Sequence, residues 1–154
     1  MSTEIRFYHL QKSSLEQALP DLLIKALDTG RKITIRLGDE QKIAPLSQHL
    51  WVCRRDHILP HGSDADTTDP KVAALHPIWM TAGNDNPNSS DVLVLAYGGQ
   101  GGDLSDYKLV CDMFDGADED QVKAARARWK DWQAQGHTVS YWQQKPTGGW
   151  EQKA

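Results

Sequence analysis

A glycine cluster, Gly98-Gly99-Gln100-Gly101-Gly102, follows the apolar run Val92-Leu93-Val94-Leu95-Ala96, where a phosphate-cradling loop would sit. That chemistry needs Lys and then Ser or Thr after the glycines, to reach the phosphates and a magnesium ion. Asp103-Leu104 stands there instead, and the dinucleotide spacing Gly-x-Gly-x-x-Gly is absent. The Asp charge would repel phosphate, so the cluster reads as a flexible turn. His49, Cys53, His57 and His61 recur at every fourth position, and imidazole and thiolate are good zinc ligands. Successive turns of one helix cannot converge four side chains on an ion at bond lengths of about 2 Å. Pro60 also stops a helix before His61, and Arg54 and Arg55 bring positive charge close by. No metal is expected. Cys53 with His57 has the types of a nucleophile and base but no orienting partner or oxyanion site beside it. No catalytic residue and no cofactor are assigned.

The segment Gln121–Lys130 is richer. Lys123, Arg126, Arg128 and Lys130 occur with no acid between them. At 100° per residue Lys123, Arg126 and Lys130 form one stripe, and Val122, Ala125, Trp129 and Trp132 form an apolar face beside it. A guanidinium bordering an indole suits an apolar residue that carries a carboxylate, because the ring packs while the fork binds the oxygens. An ordinary amphipathic helix with a solvated basic edge explains the pattern slightly better on spacing alone.

These residues need elements to hold them. Glu4–Leu10, with Ile5, Phe7 and Tyr8, reads as a strand. Ser13 or Ser14 offers the next helix an N-cap, and Ser13 with Glu16 fits a capping box. Leu15, Leu19, Leu22, Leu23 and Ala26 make one face, Pro20 interrupts it, and Gly30 ends it. Ile33, Ile35 and Leu37 alternate as a second strand, and Asp39 can cap a helix carrying Ile43, Leu46, Leu50 and Trp51. From Arg54 to Lys71 the chain is polar and reads as a long surface loop. Pro77–Met80, Asp91–Tyr97 and Tyr107–Phe114 are further strands, the second apolar enough to be central. Asp118, Glu119 and Asp120 mark a helix start that runs to about Gln135, Gly136 ends it, and Thr138–Trp142 is a last short strand. Alternating strands and helices predict a single α/β domain with a mostly parallel or mixed sheet. Residues 1–142 form the domain, and 143–154 are expected to be a mobile tail in which Trp150 can dock.

The 154 residues suit one domain, and the net charge is −4 with a pI near 5.8. Proteins that grip nucleic-acid phosphate need a basic excess, so strong direct nucleic-acid binding is not expected and a protein partner fits better. Six tryptophans for this length point to buried rings or a partner surface. Cys53 and Cys111 read as free thiols in a reducing compartment, and no stretch is of membrane-spanning length, so the protein is expected to be cytoplasmic.

Several segments, in order along the chain, resemble the family of the chi accessory subunit of bacterial DNA polymerase III. They are Phe7-Tyr8, Leu50-Trp51, Leu59-Pro60-His61, Val110-Cys111-Asp112-Met113-Phe114, Ala125-Arg126-Ala127-Arg128-Trp129-Lys130, Gly136-His137 and Tyr141-Trp142-Gln143-Gln144. The resemblance implies a three-layer Rossmann-like fold with helices on both faces and no nucleotide chemistry. It implies a non-catalytic subunit that links the clamp loader, through its small psi subunit, to single-stranded DNA-binding protein. The acidic tail of that protein ends in a Phe carboxylate, and the family's site for it falls here on Phe114, Lys123, Arg126, Trp129 and Tyr141. The turn before this helix is one residue longer here, which sets the family's second basic position at Val122 or Lys123. The psi-facing surface falls on Trp51, Ile58, Pro60 and His61. The Gly148-Gly149-Trp150 extension is not common to the whole family and receives no role. The alternative is a small Rossmann-like nucleotide-binding enzyme.

Overall fold

Ile33, Ile35 and Leu37 alternate with Thr34 and Arg36, and both sets are buried. The strand they form must therefore be covered on both faces. The computed structural model describes residues 3–52, 59–64, 66, 69–83, 86, 88–99, 104, 106–147 and 149–154. In chain order the elements are β1 (Glu4–Leu10), α1 (Leu15–Asp28), β2 (Ile33–Leu37), α2 (Ile43–Val52), β3 (His61–Ser63), α3 (Pro70–Ala73), β4 (Ile78–Thr81), β5 (Val92–Ala96), β6 (Leu109–Asp115), α4 (Glu119–Ala134), β7 (Thr138–Gln144) and β8 (Trp150–Gln152). One sheet runs β3-β4-β2-β5-β6-β1-β7-β8. Every neighbouring pair is parallel except β7 with β8.

The pleat divides the core in two. Leu19 and Leu23 of α1 and Ile43, Leu46 and Leu50 of α2 pack on Ile33, Ile35, Ile78, Met80, Val92 and Val94. On the other face Ala125 and Trp132 of α4 pack on Ile5, Phe7, Leu93, Leu95, Val110 and Phe114. Fully burying each such large side chain contributes about 1.5–3 kcal/mol. Over β2 this second face turns polar: the Thr34 hydroxyl meets Asn86, Asn88 and Ser90 side chains at 2.9–3.1 Å. The connector before β5 thus takes the place of a helix there.

Local chemistry sets the helix ends. The capping box before α1 uses Ser14 and Gln17, one residue later than the expected Ser13 and Glu16 pair. Gly30, at φ +78°, lets the Arg31 N–H reach the Ala26 carbonyl and its own N–H reach that of Leu27. Pro20 lies inside α1 without breaking it. It has no N–H for the Glu16 carbonyl, and His49 Nε2 of α2 donates to that oxygen instead, at 2.7 Å. Asp39 caps a single 3-10 turn, Glu40–Lys42, that leads into α2.

Two expectations are corrected. The polar stretch expected as a loop contains β3, an edge strand buried against β4 because Gly62 lies under the Trp79 ring. Trp51 does not join the buried face of α2; it is 51% exposed. The segment after residue 142 carries the end of β7 and all of β8, and Trp150 docks edge-on against Tyr8 with ring centroids 4.9 Å apart. Among the described residues no helix is long and apolar enough to cross a membrane.

Candidate functional site

The parallel register puts four aromatic residues side by side on the α4 face. Phe7 on β1 stands opposite Tyr141 on β7, and His9 on β1 stands opposite Phe114 on β6. Strand residues two apart share a face, so these four side chains form one platform. Above it, Asp118 caps α4 by accepting from the Asp120 and Gln121 N–H groups. The helix turns Ala125 and Trp132 into the core and leaves Trp129 at its edge, 5.4 Å from the Phe7 ring and 6.1 Å from Tyr141. Between helix and platform lies a pocket of about 280 Å³, walled by Phe7, Phe114, Val122, Arg126, Trp129 and Tyr141 and bordered by Ala154.

Arg126, on the rim, pairs with no carboxylate among the described residues. Arg128 does the opposite. It forks onto Asp112, with Nε at 2.6 Å and an Nη at 3.0 Å. Burial pushes the Asp112 carboxyl up, and the Arg128 charge opposes that shift. The expected basic run therefore divides: Arg128 serves the core, Arg126 borders the pocket, and Lys123 is solvated on the exposed side and does not line it.

His9, on the platform beside the pocket, is a residue that sequence pattern did not single out. Its Nδ1 hydrogen-bonds with the Tyr141 hydroxyl, and its ring lies 5.1 Å from Phe114. Partial burial, then the Arg126 charge, lowers its pKa, and Asp115 works against both. Burial also raises the Tyr141 hydroxyl, with Arg126 opposing. Gly116 fits here because a Cβ would overlap the His9 ring; its N–H holds the Leu10 carbonyl at 2.8 Å. The alternation of Phe7 and His9 on β1 was the signal that pairs them, and it identifies a site only once α4 is known to cover that face. An apolar floor and, at its edge, a guanidinium without a carboxylate partner among the described residues suit a ligand ending in an apolar group beside a carboxylate.

The residues assigned to a second partner surface lie at the far edge of the sheet. Trp51 stacks on the His61 ring at 4.1 Å. His61 is itself only 4% exposed, bonded to the Leu59 and Ser47 carbonyls, so it supports Trp51 from beneath and presents little surface. Pro60 is exposed, and Ile58 lies outside the described residues. So do Cys53, His57, Asp103 and residues 100–102 of the glycine cluster. Among the described residues, no group of three or more His, Cys, Asp or Glu side chains is placed to hold a metal. Cys111 is buried, and burial pushes its thiol up to about 12, which makes it a poor nucleophile at neutral pH.

The loop between β1 and α1 is where a doubly wound fold would hold a phosphate. Here the Gln144 side-chain oxygen fills it, accepting the N–H groups of Gln11, Lys12 and Ser13 at 3.2, 2.8 and 2.9 Å. A larger pocket of about 350 Å³ lies under α1 beside Trp150. Its rim sets Arg6, Lys25 and Arg31 against Asp21, and Arg6 is already paired with Glu4 at 2.9 Å. It presents no single charge, so the α4 pocket is the better candidate despite its smaller size.

The family described as DNA polymerase III chi subunit, HolC, matches residues 1–140. A curated protein from Rickettsia prowazekii (strain Madrid E), named "Probable DNA polymerase III subunit chi", is 29% identical over 92 residues, 60% of this chain. The match spans 53% of that relative, so the chain covers about half its length. The family match runs through β1, β6, α4 and the first residues of β7 and ends just before Tyr141. This chain belongs to the DNA polymerase III chi subunit family.

Proposed function

We propose that the protein is a non-catalytic adaptor of the DNA polymerase III assembly, which joins the clamp loader to single-stranded DNA-binding protein. The observation that carries the reading is Arg126, a guanidinium without a carboxylate partner among the described residues, at the mouth of an aromatic pocket in a chain of net charge −4. An acidic tail ending in Phe would place its ring against Phe114, Trp129 and Tyr141 and its carboxylate on Arg126. Lys123 adds a solvated, longer-range attraction. The binding would be modest and salt-sensitive, because exposed charges are screened within about 10 Å at ordinary ionic strength.

The other partner, psi, would dock on Trp51 and Pro60 with Ile58, and His61 would hold the Trp51 ring in place. Half-exposed indoles raised on a buried ring are expensive to leave in water, which supports a partner there. A nucleotide-binding enzyme is the weaker reading, since Gln144 already occupies the phosphate position of the first loop.

The test is fluorescence anisotropy of a labelled acidic peptide ending in Phe, with free and amidated C-termini. Arg126→Ala is expected to weaken the free peptide by about 1.5–3 kcal/mol, roughly ten- to a hundredfold. Lys123→Ala is expected to cost less. Amidation should hurt the wild type strongly and Arg126→Ala little, since the partner charge is already gone. Equal weakening of both proteins would show that Arg126 does not hold the carboxylate.

A further inference from the structure

The outer side of the pocket is built by the last residues of the chain. β7 carries Tyr141 and would be an edge strand without β8, its outward N–H and C=O groups left to water. Instead the Tyr141 carbonyl accepts the Lys153 N–H at 2.7 Å and the Ala154 N–H at 3.4 Å, and the Tyr141 N–H donates to the Ala154 carbonyl at 3.3 Å. Ala154 also forms part of the pocket wall beside Tyr141. The segment is anchored at its other end on the opposite face of the sheet. There Trp150 packs edge-on against Tyr8, and the Lys145 N–H closes the preceding turn onto the Gly149 carbonyl at 2.7 Å. Between the two anchors, Trp150, Glu151 and Gln152 pair with Gln144, Gln143 and Trp142.

We infer that Trp150–Ala154 is a strap that positions Tyr141 and completes the pocket wall, and so sets which terminal residue an acidic peptide can present there. The inference rests on the reading of the pocket as a peptide-tail site. The phenol of Tyr141 is held from inside by His9, and the strap holds its backbone from outside. With both in place the platform is rigid, and a terminal ring meets a closed surface. With the strap released, the outer wall opens to water and Tyr141 is held on one side only. Discrimination between a large and a small terminal residue then falls, because the contact that distinguishes them is lost. The strap does not compete for the carboxylate, since among the described residues Arg126 has no carboxylate partner with the strap docked.

The experiment compares acidic peptides identical except for a terminal Phe or Ala, bound to the full chain, to Lys153→Pro, to Trp150→Ala and to a chain ending at Gly149. Lys153→Pro removes the N–H that Tyr141 accepts, and Trp150→Ala releases the distant anchor without touching the pocket. All three variants are expected to lose roughly fivefold or more in affinity for the Phe peptide, the scale of one lost hydrogen-bonded contact, and little for the Ala peptide. The Tyr141 and His9 ring resonances are expected to shift in Lys153→Pro without any peptide. An unchanged Phe-over-Ala ratio with a lowered melting temperature would reduce the strap to a stabilising strand and overturn the inference. Tighter Phe binding on release would make it a lid and overturn it equally. If the full chain binds neither peptide, the pocket reading fails, and unshifted Tyr141 resonances would then overturn the strap on its own account.

Discussion

Arg126 and Arg128 sit two residues apart on α4, and one faces solvent while the other faces the sheet. The Asp112 side chain is 2% exposed, so removing its partner strands a buried carboxylate. Arg128→Ala is expected to cost about 3 kcal/mol in urea denaturation at pH 7, whereas Arg126→Ala should change stability by less than about 0.5 kcal/mol. Burial already raises Asp112, and loss of Arg128 raises it further, so the Arg128→Ala deficit should shrink as pH falls and the carboxyl takes up its proton. A deficit that grows toward acid pH would contradict the pairing. His9 gives a second pH signature. Its pKa is lowered, so the fold favours the neutral ring, and His9 takes stability from the fold as pH drops below the unfolded value of about 6.5. A carboxylate bound at Arg126 would offset the charge that helps hold His9 neutral. Tail-peptide affinity is therefore expected to rise as pH is lowered from about 7.5 to 5.5, while peptide carboxylates remain ionised. His9→Gln should flatten that dependence in anisotropy titrations, and a slope retained in the variant would assign it elsewhere.

At the scale of elements, the α1–α2 contact shows how a helix tolerates a proline. Pro20 leaves the Glu16 carbonyl without its helical donor, and His49 supplies one from the neighbouring helix. His49→Phe is expected to cost about 1 kcal/mol in the wild type, the worth of one hydrogen bond left unmade. In a Pro20→Ala background, residue 20 regains its own N–H for that carbonyl, so His49→Phe should cost clearly less. A double-mutant cycle with no coupling would mean that the interhelical bond contributes nothing. The sequence showed the missing donor at Pro20 and suggested an interruption there; that α1 runs on through it, with His49 from 33 residues away supplying the donor, was not legible. The same holds for β3, whose three residues carry no alternation to mark them and are buried through Trp79 of β4 and through Ser47 and Trp51 of α2.

For the whole molecule, the doubly wound sheet invites a nucleotide reading that the first loop argues against. Gln144 at the end of β7 satisfies three amides that a phosphate would need. Calorimetry with ATP, GTP or NAD is expected to show no saturable binding, and micromolar affinity for any of them would restore the enzyme reading. Much of this architecture follows from local pattern. Alternating apolar residues in β2, the apolar run of β5, Asp118 before α4 and glycines after α1 and α4 are decided by side-chain period and backbone sterics, which act within a few residues. The aromatic and basic residues of α4 were visible for the same reason. What local pattern cannot decide is which of several equivalent cations is free, since Arg126 and Arg128 differ only in what lies opposite them. Asp112 claims one of them through the pairing of β6 with β5 and β1, and the pocket exists only where β1, flanked by β6 and β7, brings Phe7, Phe114 and Tyr141 under the same helix. The strap at the chain's end is likewise a tertiary fact: Trp150 has no apolar neighbours in sequence to predict a strand, and it becomes one because Tyr8 and the open edge of β7 receive it.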